Sequence, residues 1–554
     1  MAAEMEQRRS ITPGSVAYLL LLAACVALIR PFVNTGISDD FSFIRSAKDF
    51  ADTGRMVYNG WSSPILGWML PFGALFIKLF GFSFTAVRAA SLMVAAVNGV
   101  LAQWILLRLG CTRGMALFGA SAVLLSPISL PAAVLFFTDQ PGLLALLVTL
   151  ALCIRIVGAE SARATKIWIA VAFLASFFLG TARQLLWSCT LLMVPSAVWL
   201  VRRRKGVVPW AAAWLSLVLA GVAGAMYWWN RQPYSMKEPL FTHIPLASWA
   251  RYAVLPGMEL AVEIAPVLSL FLLRRVSKRV YGVSAALALA VPLVMMRNPY
   301  DLLRIGSGDI FGEAPHWVFL AAVTYASALL PMAGVSAYEA VVRERESGEL
   351  GVRGVLVLLG PFSLALFLFV SAREAFFPRY LLPVMAVVVI WLTKVWSDVR
   401  TERQGCGVAG PALVAVYCAF SIVQMHDVYR QADADLSLTE WYASQGFPRA
   451  DLEAGFAFDG WYQIERTGYI DHPMVKVPAG AYVNHDVPVA MRPCHGFFLS
   501  YTPSVHPIYG VGESVAPCFQ EPVMHTAEYT AWMAPHQRTV FIAQFKPEYA
   551  LPVR

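Results

Sequence analysis

SVAYLLLLAACVALIRPFVNTGISDDFSFIRSAKDFADTGRMVYNGW, residues 15–61, decides how the rest of the chain is read. Residues 15–33 are apolar over nearly the length a helix needs to cross a bilayer, about 20 residues. The run is followed almost at once by two adjacent carboxylates, Asp39 and Asp40. Acids beside a bilayer are costly to desolvate, so a pair at this depth calls for a role. The whole chain shares the character of its first span. It has 554 residues, of which 58% are hydrophobic and only 14% charged, with mean hydropathy +0.59. Soluble domains carry about 25% charged residues. The chain therefore reads as a mainly α, polytopic membrane protein. The net charge of +8 does not indicate nucleic acid. The basic residues fall in short clusters between apolar runs, as loop charges of membrane proteins do. The N-terminal MAAEMEQRRS leads into a full span with no small-residue cleavage pattern, so the first span is expected to be a signal anchor.

Thirteen segments have the length and apolarity of spans: 15–33, 86–107, 115–134, 141–157, 167–182, 185–201, 208–229, 256–273, 280–296, 316–341, 354–371, 380–397 and 408–424. The segment 64–80, PILGWMLPFGALFIKLF, is also apolar, but it is short and holds Pro64, Pro71 and Lys78. With that segment lying in the interface, the clusters Arg8/Arg9, Arg108/Arg113, Arg155/Arg163/Lys166, Arg202–Lys205, Arg274/Arg275/Lys278/Arg279, Arg343/Arg345/Arg353 and Lys394/Arg400/Arg403 all face one side, the cytoplasm. Were it to cross, the first cluster would face away from the others. The expected topology has the N-terminus inside, 1–424 in the membrane with a first extracytoplasmic loop at 34–85, and a small mixed α/β domain outside at 425–554. This places the chain in the plasma (inner) membrane.

That tail changes in composition. It holds most of the histidines and short alternating stretches such as TVFIAQF that read as strands. Cys494 and Cys518 are its only cysteines. An oxidising compartment would let them pair, although two cysteines alone do not establish a disulfide. The other six lie in or near spans and read as apolar packing. There is no internal repeat and no low-complexity segment.

The same topology puts a further acid on the outer face. LPAAVLFFTDQPGLLALL places Asp139 between the third and fourth spans, two residues before Pro141. An acid there suits a helix start and its dipole, which is the bland reading of Asp139. The bland reading of Asp39 and Asp40 is a solvated loop. Both weaken if the acids converge on one place.

The stretch DDFSFIRSAKDFADTG, followed by YNGWSSPILGWMLPFGALFIKLFG and FSFTAVRAASLMVAAVNG, resembles the first extracytoplasmic loop of C-type (GT-C) membrane glycosyltransferases. It is similar to the protein O-mannosyltransferases and the lipid A aminoarabinose transferases, with TDQP at 138–141 matching the second acidic motif. The resemblance is clearest over about 30–200, with a weaker echo at RYLLP, 379–383. It implies about thirteen spans, interfacial helices in the first loop and an extracytoplasmic C-terminal domain. It also implies transfer of a sugar from a polyprenyl-phosphate donor to an acceptor, with inversion. Two departures stand out. Ser62 and Ser63 occupy the place of a Glu-Lys pair of the aminoarabinose transferases, so a metal ligand and a phosphate contact are missing there. The second acid of the pair is Asp40 rather than Glu. A divalent metal stays open and no metal ligand is assigned.

Transfer from such a donor needs a base for the acceptor hydroxyl, cations for the departing phosphate and an apolar groove for the lipid. The resemblance assigns Asp39 as the base, with Asp40 orienting or binding acceptor. Asp139 positions Asp39, binds sugar or shares a metal. Arg183 in GTARQLLW and Arg379 in FFPRYLLP end or begin spans on the outer face. Each reads either as a snorkelling arginine or as a phosphate clamp. His243 in FTHIPLASWARY is a candidate donor contact in an outer loop. Arg45 and Lys48 share a helical face and are expected to pair with Asp49 or Asp52. The competing class is a transporter or flippase, which would place ionisable groups near the midplane and show repeats or broken helices. Geometry separates the two: a transferase needs Asp39 and Asp139 facing one cavity. The sugar, the acceptor (glycan, lipid or protein), the role of the tail and the oligomeric state are not written in the sequence.

Overall fold

The computed structural model describes residues 13–238, 246–297, 316–344, 350–372, 376–399, 407–533, 535–549 and 551. In chain order its helices are α1 (Pro13–Ile29), α2 (Asp40–Thr53), α3 (Met69–Phe80), α4 (Phe84–Arg108), α5 (Arg113–Leu124), α6 (Ser129–Val134), α7 (Asp139–Val157), α8 (Ala162–Gly180), α9 (Val194–Leu200) and α10 (Val207–Asn230). They continue with α11 (Leu246–Glu263), α12 (Ala265–Leu268), α13 (Lys278–Met296), α14 (His316–Arg343), α15 (Val352–Ser371), α16 (Leu382–Val399), α17 (Ala409–Ser444) and α18 (Phe456–Thr467).

Every one of the thirteen expected spans is helical, but not all are single rods. Among the described residues nine helices are long and apolar enough to cross a membrane, and Ala253–Glu263 with Ala265–Leu272, bent by 59°, would make a tenth. The remaining three are shorter or interrupted. The helix α1 has 17 residues. The span expected at 115–134 divides into α5 and α6 around Ser126 and Pro127; a proline has no N–H to continue the ladder. The span at 185–201 is led by a 3-10 turn and a single π turn, Cys189–Met193, before α9. The helix α3, within the apolar segment 64–80, is only 12 residues long, about 18 Å against the ~30 Å of a bilayer core. It is too short to cross and packs against α2 and α4. Leu79 and Phe80 at its end are 63% and 71% exposed, as an interfacial helix would leave them.

The first and last membrane helices lie side by side. The helix α1 packs on α4 and α17, and the Cys25 and Cys418 sulfurs are 3.5 Å apart. The composition change at 424 falls inside a helix. α17 runs unbroken for 36 residues because no glycine or proline interrupts VQMHDVYRQADADLSLTEWYAS. Polarity there marks where the helix leaves the apolar layer, and the helix itself goes on.

Beyond α17 lies a four-stranded sheet of order β1-β2-β4-β3, built from Leu452–Glu453, Tyr509–Gly512, His525–Thr530 and Gln537–Gln544. β1 and β2 are parallel and the other pairs antiparallel. The alternating stretch TVFIAQF falls almost wholly in β4, and Cys494 and Cys518 are joined by a disulfide. The tail is stitched to the first loop. The Ile470 N–H donates to the Asn59 carbonyl at 2.8 Å. Gly60, at φ +83°, lets the two backbones meet: a Cβ there would lie 2.2 Å from the Ile470 oxygen. Gly460 of α18 does the same against α2, where a Cβ would lie 2.6 Å from the Phe41 ring.

Candidate active site

The site is built where the chain leaves α1 and turns into α2. Ser38 sits at φ 53°, a left-handed conformation unusual for a residue with a side chain. This kink sends Asp39 and Asp40 in different directions. Asp40 points inward and is fully buried. One of its oxygens accepts the Ile37 N–H at 2.7 Å. The other accepts Nε of Arg88 at 2.8 Å. Arg88, buried in α4, spends its remaining donors on the carbonyls of Val33 (2.8 Å) and Thr35 (2.6 Å). One guanidinium thus pins the loop 33–40 to α4. A paired, hydrogen-bonded charge is the form in which ionisable groups are tolerated at such depth.

Asp39 faces the other way and its side chain is 23% exposed. Its Oδ1 accepts the indole N–H of Trp61 at 3.0 Å, and its Oδ2 accepts from Arg379 at 2.7 Å. Trp61 is held by Asn59. The Asn59 amide donates to the Ser42 carbonyl at 2.8 Å, and its oxygen accepts from the Ser42 hydroxyl at 2.8 Å. The Trp61 ring is walled by the tail: Phe456 at 4.6 Å, His472 at 5.3 Å, Phe498 at 5.7 Å and Tyr501 at 5.9 Å between centroids. Burial, and then the Lys476 charge, push the His472 imidazole down to about 4, so it stands neutral beside Trp61.

Asp139 begins α7 and is 3% exposed. Arg183, from the turn after α8, donates to its Oδ1. The start of α7 is fixed by Gln140, which accepts from Asn98 at 2.9 Å and donates to the Ser129 carbonyl at 2.9 Å. Arg379 links the two acids: it binds Asp39 and lies within electrostatic reach of Asp139 as well. Its guanidinium rests on the Phe137 ring at 4.8 Å, and that of Arg183 on the Tyr380 ring at 5.2 Å. Gln184 ties this corner to the first loop, donating to the Ser63 carbonyl at 2.9 Å and accepting the Ile65 N–H at 3.1 Å.

Of the residues named from sequence, Asp39, Asp139, Arg183 and Arg379 form one charge-balanced group. Asp40 lies on the far side of the loop in its own pair with Arg88. His243 lies outside the described residues. Arg45 pairs with Asp49 at 3.1 Å and Lys48 with Asp52 at 2.7 Å, as their helical spacing predicts. Among the described residues no group of three or more His, Cys, Asp or Glu side chains is placed to hold a metal ion. Two residues escaped the sequence reading. Arg88 carried a usable signal, since a charge inside a span demands a partner. Trp61 carried none beyond its place in YNGW. Chemically, the group offers a partly exposed carboxylate for a proton and two guanidiniums for an anion.

No family model matches the chain, and no curated protein matches it in sequence. Among solved structures it is similar to ArnT from Cupriavidus metallidurans in the apo state, with 15% identity and TM-score 0.40 over 78% of this chain and 73% of that one. It is similar to the same protein bound to undecaprenyl phosphate, with 14% identity and TM-score 0.40 over the same shares. It is also similar to the oligosaccharyltransferase of Archaeoglobus fulgidus in complex with zinc and sulfate, with 13% identity and TM-score 0.27 over 67% of this chain and 52% of that one.

Proposed function

We propose that the chain is an integral-membrane glycosyltransferase that moves a sugar from a polyprenyl-phosphate donor to an acceptor hydroxyl at Asp39. The observation that carries this is that Asp39, bonded to Arg379, stands in one group with Asp139, which is bonded to Arg183 and lies within electrostatic reach of the same Arg379. In the resting group each acid is compensated by an arginine. The donor's phosphodiester carries one negative charge and two free oxygens, as a carboxylate does, so it can compete for the guanidiniums. It gains a third oxygen and further charge as the sugar leaves, so they hold the departing monoester more strongly still. Donor binding then draws Arg379 and Arg183 onto the phosphate and leaves Asp39 free to accept a proton. The acceptor oxygen attacks the anomeric carbon and its proton passes to Asp39. The bond from that carbon to the phosphate oxygen breaks, and polyprenyl phosphate leaves as an anion held by the arginines. A single displacement of this kind inverts the anomeric centre. Asp40 serves as a positioning group that, through Arg88, fixes the loop presenting Asp39.

The test is to profile lipid-linked sugars and envelope glycans of a deletion strain, complemented with the natural chain or with Asp39→Asn. A glycan lost on deletion, restored by the natural chain and not by Asp39→Asn, with its lipid-linked donor accumulating, is the expected result. Restoration by Asp39→Asn ends the reading of Asp39 as base.

A transporter or flippase is the second reading, and one feature favours it. The bent pair of helices carries Glu263, a buried acid only 1% exposed. Broken helices with buried acids occur on transport paths. Substrate flux across proteoliposomes that depends on Glu263 and not on Asp39 would establish that reading in place of the first.

A further inference from the structure

A cavity of about 500 Å³ opens where α1 ends, away from the acids and arginines of the candidate active site. Its lining includes Arg30, Arg430 and Asp433 of α17, Glu528 of β3, and Trp532. Arg30 follows directly on α1 and holds φ 53°, which turns its exposed side chain out of the helical path. Arg430 is anchored by donating to the Arg30 carbonyl at 3.2 Å and reaches Asp433 at 3.5 Å. Its Nε is buried with no hydrogen-bond partner among the described residues. The aromatic wall is rigid: Trp532 lies flat on His426 at 3.9 Å, and Asp427 accepts the N–H groups of Trp532 (2.7 Å) and Met533 (2.9 Å). Leu28 and Phe32, flanking Arg30, are 47% and 64% exposed, so an apolar surface continues from the cavity down the side of α1.

We propose that this cavity holds the headgroup of an aminophospholipid of the adjacent leaflet, its phosphate at Arg30 and Arg430 and its ammonium at Asp433 and Glu528. Two cations and two anions line the same space. A purely anionic headgroup would meet the carboxylates, and a purely cationic ligand the guanidiniums. A zwitterion with its charges a few ångströms apart satisfies both pairs with charge-assisted hydrogen bonds. The volume is that of a small-molecule site. The apolar strip past Leu28 and Phe32 takes the acyl chains, which selects a lipid over a free phosphoamine. The proposal does not depend on the transferase reading.

The test uses the full chain, purified, delipidated and given phosphatidylethanolamine, phosphatidylglycerol or phosphatidylcholine, with retention read by native mass spectrometry and thermal unfolding. Phosphatidylethanolamine is expected to bind most tightly and to raise Tm most. Arg30→Gln should weaken that binding about tenfold, and Asp433→Asn should erase the preference over phosphatidylglycerol, with helical content by circular dichroism unchanged. Equal retention of phosphatidylglycerol or phosphatidylcholine by the natural chain overturns the proposal. So does phosphatidylethanolamine binding that neither substitution changes.

Discussion

Arg379 is 340 residues from Asp39 along the chain and 2.7 Å from its carboxylate. The contact closes the site between the first loop and the start of α16. It also occupies the candidate base, since the Oδ2 that would receive the acceptor's proton is already taken by a guanidinium. Whatever loosens the pair arms the base. Under the proposed function, an anionic donor would do so by competing for the arginine.

Asp39→Asn is therefore expected to lose about 10²–10⁴ in transfer rate while donor binding stays the same or tightens, because Arg379 no longer has an anion to leave. Rate and donor affinity, each measured on the purified variant, check this. Weaker donor binding with unchanged turnover would reverse the assignment.

Arg379→Ala should act oppositely, raising the donor Kd by about tenfold or more, the worth of one charge-assisted contact. Its partner Asp39 is partly exposed and can be rehydrated, so Tm should move little. Arg379→Lys should recover only part of the affinity, since an ammonium lacks the planar fork. Isothermal titration with polyprenyl phosphate alone is the direct measurement.

Arg88→Ala is a stability variant. It leaves Asp40 buried and unpaired, which costs on the order of 3–5 kcal/mol, and frees the carbonyls of Val33 and Thr35. The expected result is a large fall in Tm or failure to accumulate. The double variant Arg88→Met/Asp40→Leu should recover much of the stability, because no unpaired charge stays inside. Normal Tm for Arg88→Ala would remove the pinning role given to this pair.

The His472 imidazole is pushed down to about 4 by burial and then by Lys476, against about 6.5 in an unfolded chain. A histidine whose folded value is depressed contributes nothing to pH dependence above about 6.5, where both states are neutral. As pH falls from 6.5 towards 4 the unfolded state takes up the proton first, so stability is lost across that window. Asp459 works against it: burial raises it to about 6, so its contribution improves as pH falls through 6 towards the ordinary value near 4. His472→Asn keeps an acceptor for the Met474 N–H, which donates to the histidine Nδ1 at 3.1 Å. As pH drops from 6.5 to 4, the Tm of this variant should fall less, or rise more, than that of the natural chain.

A reporter fused after Gly446, just past α17, and one inserted at Arg203 should report opposite sides of the membrane, with Arg203 inside. Both on one side would overturn the charge-based topology.

What could be read from the sequence was what repeats or runs. Apolar runs marked the helical segments, and three- to four-residue spacing marked Arg45–Asp49 and Lys48–Asp52. The ends of helices were less legible. The helix α17 continues through polar residues because nothing breaks it, and hydropathy registers the water boundary only. Long-range partners were not legible at all. Nothing local to Arg88 names Asp40, and nothing in YNGW says that Trp61 will reach Asp39. Those contacts depend on where α4 and the first loop come to lie, which is set by packing across the bundle.

The unbroken α17 has one more consequence. Its 36 residues measure about 54 Å at 1.5 Å per residue, while a bilayer core takes up about 30 Å. The remainder is a stiff mast of roughly 24 Å, and the sheet is fastened to its upper part. The length of the helix thereby sets how far the sheet it carries stands from the apolar layer.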